Sequence, residues 1–283
     1  MEKTAIREMT VRILIGAVGV YAILCVLLYL FQNRLIFFPK KGYNATPADY
    51  GLPFERVRLT AADGVRIAAW VVRNPASPFW VLFFHGNAGN NTQRIPYLAF
   101  LHSLGVNALL PDYRGYGESE GRPTERGVYL DAEAAWKWLT EKEGVPPEKI
   151  VIWGRSLGGG PACHLAPKVN PAGLVLESTF TSVKDMARRM FPVFPVSLIV
   201  RTRFDNASKI ADVRCPVMVI HGPADTLVPY RLGRRLFELA NEPKEFMEIR
   251  GNHNDTYSID DEQCRRRWRA FLRRCFGEAY SPP

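Results

Sequence analysis

Cysteine is scarce in this chain, with five in 283 residues: Cys25, Cys163, Cys215, Cys264 and Cys275. None shows the paired spacing of a metal site. Cys264 and Cys275 fall about 16 Å apart along one helix, too far to bridge. A disulfide-framed secreted module is therefore excluded, and the site is expected to need neither metal nor cofactor. Internal repeats and low-complexity linkers are also missing. Hydrophobic residues at 47% and charged residues at 23% match ordinary globular usage, which excludes a disordered, collagen-like or polytopic membrane chain. Basic residues interleaved with aromatics, as in a nucleic-acid module, are not found, so no nucleic-acid partner is expected. The net charge of +9 suits work beside anionic lipid or nucleic acid but says nothing about fold.

What is present begins with one apolar run. Residues Ile13 to Phe31 (ILIGAVGVYAILCVLLYLF) carry no charge and no proline. About 19 residues at 1.5 Å each span roughly 28 Å, close to a bilayer's hydrocarbon thickness. No polar face fits it to a soluble core, and no small-residue cleavage site follows it. A single transmembrane anchor over 13–31 is expected, between a tail (1–12) and a linker (32–53). Lys3, Arg7 and Arg12 on one side balance Arg34, Lys40 and Lys41 on the other, so charge does not set its orientation.

From Phe54 the pattern changes to alternating strand and helix. Phe54–Leu59 and Arg66–Val72 read as a hairpin turning at Asp63-Gly64. Trp80–Phe84, Ala108–Pro111, Ile150–Trp153, Gly173–Leu176 and Val217–Ile220 read as short buried strands. Helices are expected over Pro96–Leu104, Glu125–Glu141 and Glu262–Phe276. The class is α/β: a mostly parallel, doubly wound sheet over 54–276 after an opening hairpin, with a tail at 277–283. Such sheets place their sites at the carboxyl ends of the strands.

The sharpest motif lies there. Gly154-Arg155-Ser156-Leu157-Gly158 is a G-x-S-x-G between a strand and a helix. Glycines at both ends permit the sharp turn that holds a serine hydroxyl clear of the sheet for attack. A serine nucleophile needs a base, and the base an orienting carboxylate. The chain has five histidines. His102 and His164 fall on helices, while His85 and His221 end strands and shape loops. His253, in the polar loop Gly251–Asp255, is the one free to reach over the sheet. Asp225, in the loop after Val217–Ile220, is the candidate acid, with Glu177 and Asp205 as competitors. The order Ser156, Asp225, His253 is the order expected of a triad built on such an elbow. The loop His85–Asn90 follows a buried strand, and the N–H groups of Asn87 and Leu157 are the candidate oxyanion donors.

Taken together, HGNAGN, DYRGYGES (Asp112–Ser119), GRSLGG, HGPADTLVP and GNHND resemble the α/β-hydrolase superfamily, in particular the membrane-anchored alpha/beta-hydrolase domain-containing proteins and their bacterial relatives. The likeness covers roughly Phe54 to Phe276 and implies the α/β-hydrolase fold, with Ser156 as nucleophile, Asp225 as acid and His253 as base. A single glycine follows His85, not the HGGG run of many lipases, which departs from a lipase assignment. Residues 178–214 are long enough for a small helical lid, whose apolar residues either line an acyl pocket or cover the core. The arginines 265, 266, 267, 269, 273 and 274 suit either a solvated helix face or anionic head groups. The function expected is a membrane-anchored serine hydrolase of carboxylic esters or thioesters, lipid-like substrates included. An aminopeptidase-like amide hydrolase is the second reading, and a non-catalytic anchored binding protein the third. Removal of residues 1–32 is expected to leave hydrolysis of short esters in place.

Overall fold

Short apolar runs without a period of two are what strands covered on both faces require, and the central strands of this chain are covered in that way. The computed structural model describes residues 2–255 and 262–281; Met1, residues 256–261 and the final two residues of the expected 277–283 tail lie outside the described residues. The chain opens with α1 (Glu2–Ile36), β1 (Phe38–Pro39), β2 (Glu55–Thr60), β3 (Arg66–Val72), β4 (Trp80–Phe84) and β5 (Ala88–Gly89). It continues through α2 (Ile95–Ser103), β6 (Asn107–Pro111), α3 (Glu125–Lys137), β7 (Ile150–Arg155), α4 (Gly159–Val169) and β8 (Gly173–Glu177). Then come α5 (Val183–Met190), α6 (Val196–Ile199), α7 (Ala207–Ile210), β9 (Val217–His221), α8 (Tyr230–Leu239), β10 (Lys244–Glu248) and α9 (Glu262–Phe276).

Eight strands form one sheet in the order β10-β9-β8-β7-β4-β6-β3-β2. Only β3 runs against its neighbours; the other pairings are parallel. Side chains alternate between two cores, as the strand period demands. Leu82, Phe84, Ile150, Ile152, Leu174 and Leu176 face the layer containing Val128, Ala132 and Leu165 of α3 and α4. Val81, Phe83, Val151, Trp153 and Val175 face Leu98 and Leu101 of α2 and Trp268, Phe271 and Leu272 of α9. The stripe expected on the last helix is thus its buried side. Part of its arginine cluster is tied into the fold: Arg265 donates to Ser103 Oγ (2.7 Å) and Arg267 to the Phe246 carbonyl (3.0 Å).

Two boundaries differ from expectation. The helix expected through Glu141 ends regularly at Lys137, and its last turn widens over Trp138–Lys142. The first helix is the larger difference. It runs to Ile36, so 32–36 is helix and not linker. Nothing from Gln32 to Ile36 breaks a helix; the first proline downstream is Pro39. At 35 residues α1 is about 52 Å long. It is long and apolar enough to cross a membrane, and its most apolar window is not buried in the protein.

Its carboxyl end is docked. Gln32 is 7% exposed, and its Oε1 accepts from Arg201 N (2.7 Å) and Thr202 N (2.9 Å) while its Nε2 donates to the Ile199 carbonyl (3.2 Å). Asn33 Oδ1 accepts from Thr202 Oγ1 at 2.9 Å. The segment between β8 and β9 carries three short helices, α5 to α7.

Candidate active site

Strand β7 delivers Ser156 at its carboxyl end and α4 leads away from it. Ser156 has φ 53°, the left-handed region that side chains other than glycine seldom adopt. Its carbonyl is held by Thr179 Oγ1 (2.6 Å), just past β8, and a side chain on Gly158 would collide with the Phe84 and His85 carbonyls. The turn is therefore fixed by its packing, and only glycine serves at position 158.

The three residues singled out for a triad meet over this turn. His253 Nε2 is 3.0 Å from Ser156 Oγ, and His253 Nδ1 is 2.8 Å from Asp225 Oδ2. All three are buried. Asp225 Oδ1 accepts from Leu227 N (2.9 Å) and Val228 N (2.8 Å), which fixes the carboxylate's orientation. Burial alone would raise its pKa, but hydrogen bonds from His221 and His253 outweigh that and hold the carboxyl below its usual range. An ionised Asp225 in turn holds a proton on His253 Nδ1 and leaves Nε2 as acceptor for the Ser156 hydroxyl.

The competing residues are occupied elsewhere. Glu177 Oε1 accepts from Arg155 Nε at 3.2 Å, and Asp205 Oδ1 accepts from Ser208 N at 3.2 Å. His85 is buried, its Nδ1 2.7 Å from the Gly86 carbonyl, and His164 stacks on Tyr129. His221, read from sequence as a loop former, does more than that. Its Nε2 lies 3.0 Å from the Val228 carbonyl and 3.3 Å from Asp225 Oδ2, so it braces the acid.

Two further supports were not singled out from sequence. Arg155, buried inside the G-x-S-x-G, pairs with Glu177 and donates to the His253 carbonyl. A charged residue between an apolar strand and a buried serine was the signal available. Asn252 Oδ1 accepts from His253 N (2.7 Å), Thr226 N (3.1 Å) and Thr226 Oγ1 (3.0 Å), which ties the histidine loop to the aspartate loop. No motif marks it. The Asp112–Ser119 motif acts as a brace: Tyr113 Oη donates to the His85 carbonyl (2.7 Å), and Tyr116 Oη to that of Asn87 (2.6 Å).

Ser156, Leu157 and Asn87 line a cavity of about 330 Å³. Apart from Gln32 the rest of its wall is apolar, and most of it comes from two sources. The segment between β8 and β9 contributes Met186, Phe191, Phe194 and Ile199, and α1 with the residues after it contributes Leu28, Leu35, Ile36 and Phe38. The apolar residues of 178–214 thus line a pocket as well as cover the core. The helix read as an anchor is one of that pocket's walls, and Asn87 Nδ2 donates to its Ile36 carbonyl at 3.0 Å.

Known proteins agree with this architecture. Residues 80–198 match the alpha/beta hydrolase fold family. The chain is 33% identical to alpha/beta hydrolase domain-containing protein WAV2 of Arabidopsis thaliana, over 90% of each chain. It is 32% identical to an uncharacterized membrane protein of Saccharomyces cerevisiae, over 87% of this chain and 90% of that one. Among solved structures, the esterase Pf2001 of Pyrococcus furiosus superposes with a TM-score of 0.71 at 26% identity, covering 85% of this chain and all of that one. With its sheet order, its elbow and these relatives in agreement, this hydrolase belongs to the alpha/beta hydrolase fold family.

Proposed function

We propose that the chain is a membrane-anchored serine hydrolase of carboxylic esters or thioesters. The observation that carries this reading is the unbroken hydrogen-bonded series from Ser156 Oγ through His253 to Asp225, set at the head of an apolar cavity. Ser156 Oγ attacks the acyl carbonyl as His253 Nε2 takes its proton. Asp225 stabilises the imidazolium so formed. The N–H groups of Asn87 and Leu157 receive the developing oxyanion. His253 then protonates the leaving alcohol or thiol, and a water deprotonated by the same nitrogen releases the acid and restores Ser156.

The cavity favours acyl chains over peptides. Among its described lining residues there is no aspartate or glutamate to hold a free amino terminus, as an aminopeptidase-like site requires. Lipid-like substrates follow from the apolar wall and from α1, whose length and composition suit a single membrane span.

A fluorophosphonate probe should label the wild-type protein at Ser156 and leave Ser156→Ala unlabelled. The same variant should lose hydrolysis of a nitrophenyl ester by about 10⁶-fold while keeping its fold. Activity within tenfold of wild type would remove Ser156 as nucleophile.

A further inference from the structure

The segment from Met190 to Val200 (MFPVFPVSLIV) carries no charge, yet Arg188 and Arg189 precede it and Arg201 and Arg203 follow it. Val196 and Ile199 are buried, but other apolar side chains of the segment are not: Met190 is 58% exposed, Val193 73% and Leu198 81%. Contact with α1 fixes its level. The Tyr21 ring stacks on Phe194 with centroids 5.5 Å apart, and Tyr21 Oη donates to the Val193 carbonyl at 2.8 Å. Nearer the catalytic domain, the Arg201 guanidinium lies 4.3 Å over the Tyr29 ring. Tyr21 is ten residues before Phe31, about 15 Å down the helix and half the roughly 30 Å of hydrocarbon in a bilayer.

Most of the segment's backbone suits that depth. In lipid each N–H must find a partner within the protein. Pro192 and Pro195 have no N–H to satisfy. Phe191 donates to Ala187, Phe194 to Phe191, Val196 to Phe194, Leu198 and Ile199 to Pro195, and Val200 to Val196, while the N–H groups of Val193 and Ser197 make no hydrogen bond of this kind. The next two N–H groups, on Arg201 and Thr202, are taken by Gln32 of α1.

We infer that the tip at residues 190–200 is immersed in the bilayer beside α1, and that the cavity between them draws a single acyl chain sideways from the leaflet to Ser156. The inference rests on the serine-hydrolase reading above. Leu28 of α1 and Phe191 and Phe194 of the tip form the wall along which the chain passes. A volume near 330 Å³ stands at the lower end of the range for small-molecule sites, about 300–1,000 Å³, and holds one chain, not two. The arginines on either side of the tip then lie at head-group level, where anionic lipid attracts them.

Two measurements on full-length protein in phosphatidylcholine vesicles test this. A nitrobenzoxadiazole label on Leu198→Cys should be quenched by lipids doxylated in the acyl chain and shielded from aqueous iodide, while a label on Lys142→Cys, an exposed residue outside the tip, should show the reverse. Equal iodide access at the two positions would overturn the immersion. Second, Leu28→Trp should lower the ratio of kcat/KM for dodecanoyl over acetyl nitrophenyl ester by about tenfold, as the loss of two buried methylenes would. Val18→Trp, on the same helix but outside the cavity, should leave that ratio as in wild type. A Leu28→Trp enzyme that labels with fluorophosphonate yet keeps the wild-type ratio sinks the inference alone. Failure of wild-type protein to label at Ser156 sinks the hydrolase reading and this inference with it.

Discussion

Replacing Asp225 by asparagine tests the candidate triad more sharply than removing it, because the geometry dictates how the amide must sit. Asp225 Oδ1 faces two donors, the N–H groups of Leu227 (2.9 Å) and Val228 (2.8 Å). Asparagine must place its carbonyl oxygen there, since its NH₂ group would meet both donors head on. The NH₂ then occupies the Oδ2 position, 2.8 Å from His253 Nδ1. A donor at that place forces Nδ1 to accept and moves the imidazole proton to Nε2. Nε2 faces Ser156 Oγ at 3.0 Å and can no longer take its proton. The size and fold of the site are unchanged; only the tautomer is wrong. In a serine triad such an error lowers kcat by about 10⁴-fold, roughly 5 kcal/mol on the barrier.

The paired control is Glu177→Gln. Glu177 acts two steps away, through Arg155, whose guanidinium donates to the His253 carbonyl. Weakening this buried ion pair should fall on stability, by up to about 3 kcal/mol, and leave kcat within about tenfold. The assay is steady-state hydrolysis of nitrophenyl butyrate with thermal unfolding of each variant. Asp225→Asn within tenfold of wild type, or Glu177→Gln the slower of the two, would refute the assignment of the acid.

Gln32→Ala should free the junction after α6, because it leaves the Arg201 and Thr202 N–H groups without their acceptor at a cost of about 1–3 kcal/mol each; limited trypsin cleavage there should accelerate, and an unchanged rate would contradict the clamp. Removal of residues 1–32 should leave turnover of acetyl esters, since Asn87, Ser156, Leu157, Asp225 and His253 all lie downstream, but lengthening the acyl chain should no longer raise kcat/KM once Leu28 is lost from the wall. Acid should destabilise the protein through His164: burial outweighs the pull of Glu133 and lowers its pKa, so the unfolded chain binds a proton that the fold excludes. That contribution is present above the unfolded value of about 6.5 and is lost as pH falls through the folded one, so His164→Gln should flatten the stability slope in mildly acid solution.

The strands were legible because burial on both faces leaves a mark in composition. Trp80–Phe84 is apolar at every position, and no soluble edge strand is written that way. The elbow was legible because its two outer glycines are required by close contact, and Gly158 lies against strand carbonyls that admit no Cβ. Five histidines made the candidate base a matter of elimination. Elimination could not reach His221, whose contact with Asp225 arises only when the loop after β9 folds back by one turn. Nor could it reach Asn252, one amide in a polar loop, whose value comes from facing Thr226 across to the neighbouring loop.

The first helix is the instructive case, because a long apolar run displays its hydropathy and conceals its neighbours. Leu28 belongs to the cavity wall while Leu27 and Leu30 are exposed, yet in sequence they are the same residue in the same run. Hydropathy scores all of them alike and separates none of them. The distinguishing signal was at the end of the run, in Gln32 and Asn33. Two amides between Phe31 and Arg34 are poor lipid-facing residues, and a helix stopping at the interface has no need of them. Both make bonds to the segment after α6. Likewise the charge-free stretch at 190–200, bracketed by arginines, is compatible with a core cover until the exposure of Val193 and Leu198 and the contact at Tyr21 are known. Each pattern alone was ambiguous. The contact between the helix and the stretch joins the two patterns, and the immersion proposed above is the reading under which an exposed apolar tip has an apolar solvent.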